Sequence, residues 1–348
     1  MLRPATLFVF LFLIPLSTRA ATVRTVDATF AARLSGIPAN ANRIRVWIPL
    51  PRDSKSQTIQ HLQIDSSYRW TRYTEPEFGN VYLYAEIENP GEEIEVLRLR
   101  FQATRREVAF EQIQPILLTR REWQRSLRPE RLVTLSPRIR QLAEEVTRGK
   151  REPLAQAKAI YDHVLATMKY DKSSPGWGNG DTERACDLRR GNCTDFHSLF
   201  ISLARAKGIP ARFIMGLPMS AGEGQTSGYH CWAEFYIEGK GWIPADPSEA
   251  SKSADPARRE YLFGNVDAQR LEFTIGRDIR LEPPTTEPLN YFIYPYAEMS
   301  GKTVGRPAIS FVFRDLVSPR SAGTGAEAGV NVAPARLKEV PEPRAHQP

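Results

Sequence analysis

The sequence is poor in cysteine and has no long hydrophobic run, and each absence excludes a class of protein. Three cysteines in 348 residues are too few for a disulfide-rich scaffold. No apolar run reaches the roughly 18 residues of a membrane-spanning helix, so a polytopic membrane protein is excluded. The 47 basic residues are scattered among 40 acidic ones, so the net charge of +7 does not indicate a nucleic-acid partner.

Metal-binding motifs are also missing. The chain has no Asp-x-Asp-x-Asp-Gly calcium loop and no Cys-x2-Cys pair. One set of thiol and imidazole side chains remains as a candidate zinc site: Cys186, Cys193, His197 and Cys231. Its spacings, Cys-x6-Cys and Cys-x3-His, are unusual for structural zinc, so we expect neither a metal nor a cofactor.

Residues 1–20 have the pattern of a secretory signal peptide. A positive charge precedes an apolar stretch over 7–16, and Thr18 and Ala20 are the small residues that a signal peptidase requires. The stretch is too short to span a bilayer and no cysteine follows it, so we expect no stable membrane anchor after cleavage. The mature chain is predicted to begin near Ala21 and to be exported, either periplasmic or secreted.

Two patterns divide the rest of the chain into two predicted domains. Between 21 and 115, apolar residues alternate in segments such as 93–101, which predicts a β-sandwich-like domain. From 116 to 316, helical periodicity followed by renewed alternation predicts an α+β domain with its core at 135–250. Residues 317–348 are rich in Pro, Ala, Gly and charge, and are predicted to be a disordered tail.

Three amphipathic helices are predicted in the second domain. The first covers 136–149 with Ser136 as its N-cap, and the second runs from about Pro153 to Tyr170. The third begins after Asn192, a favourable N-cap, and has Asp195 near the positive end of the helix dipole. An antiparallel sheet is expected to follow them.

Cys193 is the candidate nucleophile because it is the first residue of the third helix. Unpaired N–H groups and the helix dipole favour an anion there, which lowers the pKa of a thiol. His230, on a predicted strand 37 residues later, is the candidate base. Asp246 follows a tight turn and a strand, so an antiparallel return would place its carboxylate beside His230 to orient the imidazole.

Strand alternation separates His230 from the next residue, Cys231. His230 shares one face with Trp232 and Glu234 and is expected to face a cleft. Cys231 shares the apolar face and is interpreted as a small buried core residue. Glu234 is interpreted as an exposed strand carboxylate rather than as a group that binds substrate.

Two alternatives concern the remaining thiol and imidazole groups. A disulfide between Cys186 and Cys231 would leave Cys193 free, and the sequence does not give the distance between them. His197 lies one helical turn after Cys193, where it either touches the thiol or packs beneath the site. We favour packing beneath the site.

Two segments resemble the bacterial transglutaminase-like superfamily. Residues 191–216, GNCTDFHSLFISLARAKGIPARFIMG, have that family's Gly-x-Cys before a helix and then Gly-Ile-Pro-Ala-Arg. Residues 229–250, YHCWAEFYIEGKGWIPADPSEA, resemble its histidine and aspartate block, with His-x-Trp-x-Glu, Gly-Trp and Asp-Pro-Ser. The resemblance covers about 135–250, and the β-rich N-terminal segment with its WIPLP also resembles domains that precede such cores.

The resemblance implies a papain-like cysteine-protease core with Cys193, His230 and Asp246 as its catalytic triad. It implies thiol-dependent acyl transfer through a thioester, which cleaves or cross-links peptide or glutamine amide bonds of a protein or peptide substrate. Hydrolysis by a cysteine peptidase is slightly favoured over transglutamination. The donor that would stabilise the oxyanion stays open between Trp177 and the backbone N–H of Cys193.

Two other functions remain as alternatives. The fold can serve as a non-catalytic binding or assembly module of the cell envelope, with an idle triad. A weaker alternative is a thiol redox protein that pairs Cys193 with Cys186 or Cys231.

Overall fold

The computed structural model describes residues 21–316, and the predicted signal peptide and tail lie outside them. The strands are β1 (Val23–Ser35), β2 (Arg43–Pro49), β3 (Gln57–Asp65), β4 (Thr71–Thr74), β5 (Val81–Glu88), β6 (Glu93–Arg106), β7 (Lys169–Tyr170), β8 (Arg190–Gly191), β9 (Ala211–Pro218), β10 (Glu223–Thr226), β11 (His230–Ile237), β12 (Gly241–Ala245), β13 (Arg270–Ile275), β14 (Tyr296–Met299), β15 (Lys302–Thr303) and β16 (Arg306–Asp315). The helices are α1 (Arg120–Leu127), α2 (Pro137–Val146), α3 (Pro153–Thr167), α4 (Thr182–Leu188), α5 (Cys193–Ala206), α6 (Pro247–Ser251) and α7 (Pro256–Tyr261). No helix within the described residues is long and apolar enough to cross a membrane.

Two five-stranded sheets form the predicted β-sandwich. One sheet has the strand order β10-β16-β1-β6-β3, and the other has the order β15-β14-β2-β5-β4. Buried residues alternate with more exposed ones along much of β1 and β6, which is what their period-two patterns predict. Apolar side chains from both sheets, such as Phe30, Ile44 and Leu99, belong to one hydrophobic cluster.

The sandwich contains strands from both ends of the described chain. β16 pairs with β1 over ten residues, and β14 pairs with β2. Both strands lie within 116–316, the predicted catalytic domain, yet they complete the N-terminal sheets. Alternation reveals a strand but not its pairing partner, so the sequence pattern did not indicate that β14 and β16 pair with N-terminal strands. The division between residues 115 and 116 stays a prediction.

The three predicted helices are confirmed, and α2 and α3 end earlier than predicted, at Val146 and Thr167. The Ser136 side chain accepts a hydrogen bond from the Ile139 N–H and caps α2, as predicted. α3 ends at Thr167 rather than at Tyr170, because the residues after it pair in parallel with β8. α1 is not among the predicted helices. Its only clear signal is a capping box, in which Thr119 and Glu122 exchange hydrogen bonds.

A separate four-stranded antiparallel sheet supports the candidate site. Its strand order is β12-β11-β9-β13, and α5 packs against β11 and β9. Nearly every residue of α5 is buried, including those on its polar side, so the helix runs through the interior of this part of the molecule. The start of α5 lies next to the start of β11, where Thr194 and Cys231 are in contact.

Candidate active site

The first turn of α5 is held in place by a capping box. Asn192 Oδ1 accepts the N–H of Thr194 at 2.9 Å, and Asp195 Oδ2 accepts the N–H of Asn192 at 2.9 Å. Cys193 is the first residue of the helix, as predicted, and is only 2% exposed. The backbone N–H groups at the start of a helix present partial positive charge, and here that charge lies beside the thiol.

The glycine-rich loop before α4 is fastened to the same turn. Asp195 accepts the N–H of Gly178 at 2.8 Å and that of Gly180 at 3.1 Å. A buried guanidinium, Arg277, donates to the Gly180 carbonyl at 2.8 Å. A Cβ on Gly180 would lie 2.4 Å from the hydroxyl of a neighbouring side chain, so only glycine fits here. The loop that carries Trp177 is thus held close to the start of α5.

The structure brings His230 and Asp246 into direct contact. β12 returns antiparallel to β11, as the sequence predicted, with Ala233 opposite Ala245. His230 Nε2 donates to Asp246 Oδ2 at 2.7 Å, and the same imidazole interacts with the Cys193 thiol. The Asp246 carboxylate also caps α6, since Oδ1 accepts the N–H of Glu249 at 2.8 Å.

A buried arginine that the sequence analysis does not single out also contacts this carboxylate. Arg270 Nη2 lies 3.0 Å from Asp246 Oδ2, and its Nη1 lies 2.7 Å from Asp267 Oδ1. Arg270 is 4% exposed and begins β13, which pairs with β9. A single arginine at the start of a strand gives no sequence signal of its partner, because the partner is set by the fold.

Electrostatics favour a thiolate and an imidazolium in this site. Burial acts to raise the pKa of Cys193, but hydrogen bonds from Cys231 and His230 and the imidazole charge outweigh it, so the thiol pKa lies well below its usual range. Burial acts to lower the pKa of His230, but the Asp246 carboxylate raises it to about 9. Burial likewise opposes ionisation of Asp246, yet charge on His230 and Arg270 holds its pKa well below the usual range.

Cys231 is a small buried core residue, as predicted, but its side chain also contacts the site. Its Sγ lies 3.4 Å from His197 Nδ1 and 3.9 Å from Thr194 Oγ1, beside Cys193. The reason is that α5 packs on the face of β11 that strand alternation assigns to Cys231. His197 Nε2 in turn lies 3.2 Å from Asp246 Oδ1, without straight hydrogen-bond geometry. His197 therefore packs beneath the site.

The remaining candidates lie apart from this cluster. All three cysteines are free thiols, so no Cys186–Cys231 disulfide is present. Cys186 lines a cavity of about 210 Å³ with His163, and burial raises its thiol pKa to about 11. Glu234 accepts a hydrogen bond from Arg212 at 2.7 Å and is half-buried rather than exposed. Within 21–316, no three His, Cys, Asp or Glu side chains are grouped to hold a metal.

Tyrosines form a wall close to the candidate nucleophile. The Tyr229 hydroxyl accepts a hydrogen bond from Asn192 Nδ2 at 2.9 Å, next to Cys193. The Tyr229 ring packs against Tyr291 at 5.6 Å and Tyr294 at 6.0 Å between centroids. All three are half-buried. They come from two distant segments, so the sequence gives no signal that they meet.

Comparisons with known proteins agree with this geometry. Residues 140–247 match the family model of the transglutaminase-like superfamily. This part of the chain is a transglutaminase-like superfamily domain. The match includes Cys193, His230 and Asp246, and so confirms the family that the sequence motifs indicate.

Relatives of the transglutaminase-like domain occur in several bacteria. An uncharacterized protein of Haemophilus influenzae is 28% identical over 297 residues, which are 74% of this chain and 80% of that protein. A protein-glutamine gamma-glutamyltransferase of Pseudomonas aeruginosa is 29% identical over 126 residues. That match covers 32% of this chain but only 18% of the Pseudomonas protein, so the likeness is confined to one part of a much longer molecule.

The fold also has a solved counterpart. The crystal structure of a candidate cysteine protease from Cytophaga hutchinsonii superposes with a TM-score of 0.58 at 16% sequence identity. The match covers 87% of this chain and 93% of the other. Identity this low shows a shared fold and nothing about activity. The predicted α+β, papain-like fold class is thereby confirmed.

Proposed function

We propose that this chain is an exported, thiol-dependent acyl-transfer enzyme that acts on peptide or glutamine amide bonds. Cys193 is the proposed nucleophile, His230 the proposed general base and acid, and Asp246 the group that orients His230. The observation that carries the proposal is the 2.7 Å contact between His230 Nε2 and Asp246 Oδ2, with Cys193 at the start of α5 near enough to His230 for the imidazole to lower the thiol pKa. These are the nucleophile, base and orienting group of covalent catalysis.

The first step forms a thioester. The Cys193 thiol gives its proton to His230, and the thiolate attacks the carbonyl carbon of the substrate amide. Negative charge develops on the carbonyl oxygen, and the N–H of Cys193, at the positive end of α5, is the proposed donor to it. The His230 imidazolium then protonates the leaving nitrogen as the C–N bond breaks, so an amine or ammonia departs.

The second step releases the acyl group. His230, now neutral, takes a proton from water or from an incoming primary amine, which attacks the thioester carbonyl. The C–S bond breaks, and the Cys193 thiolate and His230 imidazolium are restored. Water yields a carboxylic acid, as in a cysteine peptidase, and an amine yields a new amide, as in a transglutaminase. We favour hydrolysis as the default outcome.

A paired assay tests the proposal and separates the two outcomes. Labelled casein is incubated with the purified protein, with and without dansylcadaverine, and both peptide release and amine incorporation are measured. Cys193→Ala removes the nucleophile and is expected to abolish either product, while Cys186→Ala, a buried thiol away from the site, leaves both unchanged. Equal activity in the Cys193→Ala protein would contradict the proposal.

An acid quench adds a test that does not depend on turnover. A slow amide substrate is expected to leave its acyl group on the peptide that contains Cys193, detected by mass spectrometry. A reactive Cys193 that never carries an acyl group, together with unchanged partner binding by Cys193→Ala, would favour a non-catalytic binding module instead.

Export is the second part of the proposal, supported by the pattern of residues 1–20. Expression of the full chain in a bacterial host, followed by osmotic release of the periplasm and N-terminal sequencing, tests it. We expect a mature protein that begins near Ala21 outside the cytoplasm. An intact N-terminus on cytoplasmic protein would contradict export without affecting the assignment of the site.

A further inference from the structure

The Asp246 carboxylate supports a second cysteine–histidine pair in addition to the proposed triad. On one side, Oδ2 accepts from His230, whose imidazole interacts with the Cys193 thiol. On the other side, Oδ1 lies 3.2 Å from Nε2 of His197, and the other ring nitrogen of His197 lies 3.4 Å from the sulfur of Cys231. The two imidazoles lie edge to face with their centroids 6.4 Å apart.

The sulfur of Cys231 lies against the first turn of α5, where Cys193 begins the helix. Thr194 Oγ1, one residue after Cys193, is 3.9 Å from Cys231 Sγ, and the Cys193 and Cys231 thiols lie close enough that each changes the pKa of the other. Both are free thiols. Cys231 is fully buried, so small groups already inside the site are the only ones within its reach.

We propose that Cys231 is a resolving thiol for Cys193, and that the two form a reversible disulfide when a hydroperoxide oxidises the nucleophile. The inference rests on one element of the proposed function, namely that Cys193 is a reactive thiolate. It does not require that the chain turn over any particular substrate. The proposed site is the contact between the two thiols, with His197 as its base.

The chemistry balances in two steps. The Cys193 thiolate attacks the peroxide oxygen, the O–O bond breaks, and hydroxide leaves, so Cys193 becomes a sulfenic acid and the peroxide is reduced. Cys231 then attacks the sulfenic sulfur and gives its proton to His197, and the leaving hydroxide takes that proton from His197, so water is released as the S–S bond forms. A dithiol reductant then reduces the disulfide to two thiols and is itself oxidised to a disulfide.

The position of His197 suits the role of base. The Asp246 carboxylate offers only acceptor atoms, so its closeness favours a proton on Nε2 of His197 and a free lone pair on Nδ1. That lone pair faces the Cys231 thiol. Burial first, and then the hydrogen bond to Cys193, raise the pKa of Cys231 well above its usual range, so Cys231 stays protonated and does not compete with Cys193 in the resting site.

Cys186 provides a matched control. It is also a buried free thiol, but it lines a separate cavity with His163 and Arg138. Its raised pKa, about 11, makes it a poor nucleophile at neutral pH. If the substitution of any buried cysteine changed the response to peroxide, Cys186 and Cys231 variants would recover Cys193 equally poorly. If Cys231 is the resolving thiol, only the Cys231 variants lose that recovery.

The test treats the purified protein with hydrogen peroxide and maps its peptides without reduction. In the wild type we expect a peptide pair joined through Cys193 and Cys231, lost again on addition of dithiothreitol, with Cys193 alkylation fully recovered. Cys231→Ser and Cys231→Ala are expected to trap sulfenic acid with dimedone and then to lose Cys193 alkylation irreversibly. Cys186→Ser is expected to behave as the wild type. His197→Asn is expected to form the linked pair more slowly.

The inference would be overturned if the oxidised wild type yielded no such pair, or if Cys231 variants recovered Cys193 as fully as the wild type does. The wild-type peptide map decides the matter even if a Cys231 variant fails to fold. All readouts are covalent states of the thiols, so a protein without acyl-transfer activity that still forms the disulfide would contradict the proposed function and leave this inference standing.

Discussion

The Asp246 carboxylate is surrounded by more donors than a simple triad requires. Four groups lie against its oxygens: the Glu249 N–H and the side chains of His230, His197 and Arg270. A buried carboxylate is costly unless paired, and this one is paired on both oxygens. The charge balance of the site is therefore set by residues from α5, β11, α6 and β13 together.

His230→Ala removes the partner of the thiolate. The pKa of Cys193 is expected to rise, because burial acts to raise it and the hydrogen bond and charge of His230 no longer oppose burial. Alkylation of Cys193 below pH 7, measured by peptide mass spectrometry, is expected to be lost. Unchanged reactivity at that pH would mean that His230 does not stabilise the thiolate.

Asp246→Asn keeps the size of the side chain but removes its charge. His230 loses the interaction that raises its pKa to about 9 and that fixes its ring orientation. The rate of acyl transfer is expected to fall by about 10³- to 10⁴-fold, with the thermal unfolding curve as a check on folding. A fully active variant would remove Asp246 from the proposed triad.

Arg270 is expected to act as a positioning residue through its charge. Its positive charge holds the Asp246 pKa down and also lowers that of His230. In Arg270→Met the His230 pKa is therefore expected to rise, so the pH above which Cys193 loses activity moves upward. The same substitution breaks a buried ion pair and is expected to destabilise the fold by about 3–5 kcal/mol. Arg270→Lys keeps the charge and is expected to lose Cys193 activity at the same high pH as the wild type. Loss of activity at the same pH in both variants would assign Arg270 a structural role only.

At the scale of helices and strands, the start of α5 determines where the nucleophile lies. Asn192→Ala removes the cap on the Thr194 N–H and the contact with Tyr229. We expect a loss of about 1 kcal/mol in the free energy of unfolding together with slower alkylation of Cys193. Ser136→Ala removes the equivalent cap of α2 and is the control. It is expected to cost a similar free energy and to leave Cys193 reactivity unchanged.

Local signals in the sequence account for the elements that were predicted and for the triad candidates. Caps and apolar stripes indicated α2, α3 and α5. Two strands joined by a tight turn indicated that the chain returns and brings Asp246 towards His230. Contacts between distant segments have no such signal. The sequence therefore did not indicate that Arg270 reaches Asp246, nor that Cys231, opposite His230 in the alternation, meets α5.

At the scale of the whole molecule, the two ends of the described chain close one sandwich. β16 completes the sheet that begins with β1, and one hydrophobic cluster runs from this sandwich to the residues of α5 and β11. Residues from both predicted domains thus share a continuous core. We therefore expect the described part of the chain to unfold as a single cooperative unit.

A pair of substitutions on β16 tests this cooperativity. Phe311 is fully buried, and Phe311→Ala is expected to cost about 3–5 kcal/mol and to lower the temperature at which Cys193 loses its reactivity. Val312, the next residue, is 46% exposed, and Val312→Ala is expected to change the free energy of unfolding by less than about 0.5 kcal/mol. Two separate thermal transitions, with Cys193 unaffected by Phe311→Ala, would contradict a shared core.

The most direct test of the central claim is alkylation of the wild-type protein, resolved by site, between about pH 5 and pH 9. Alkylation follows the thiolate fraction, so a depressed pKa keeps Cys193 reactive well below pH 7, while Cys186 and Cys231, with raised pKa values, lag behind. That result would establish Cys193 as the primed nucleophile. A Cys193 that is inert, or that reacts only near the ordinary thiol pKa of about 8.5, would contradict the account.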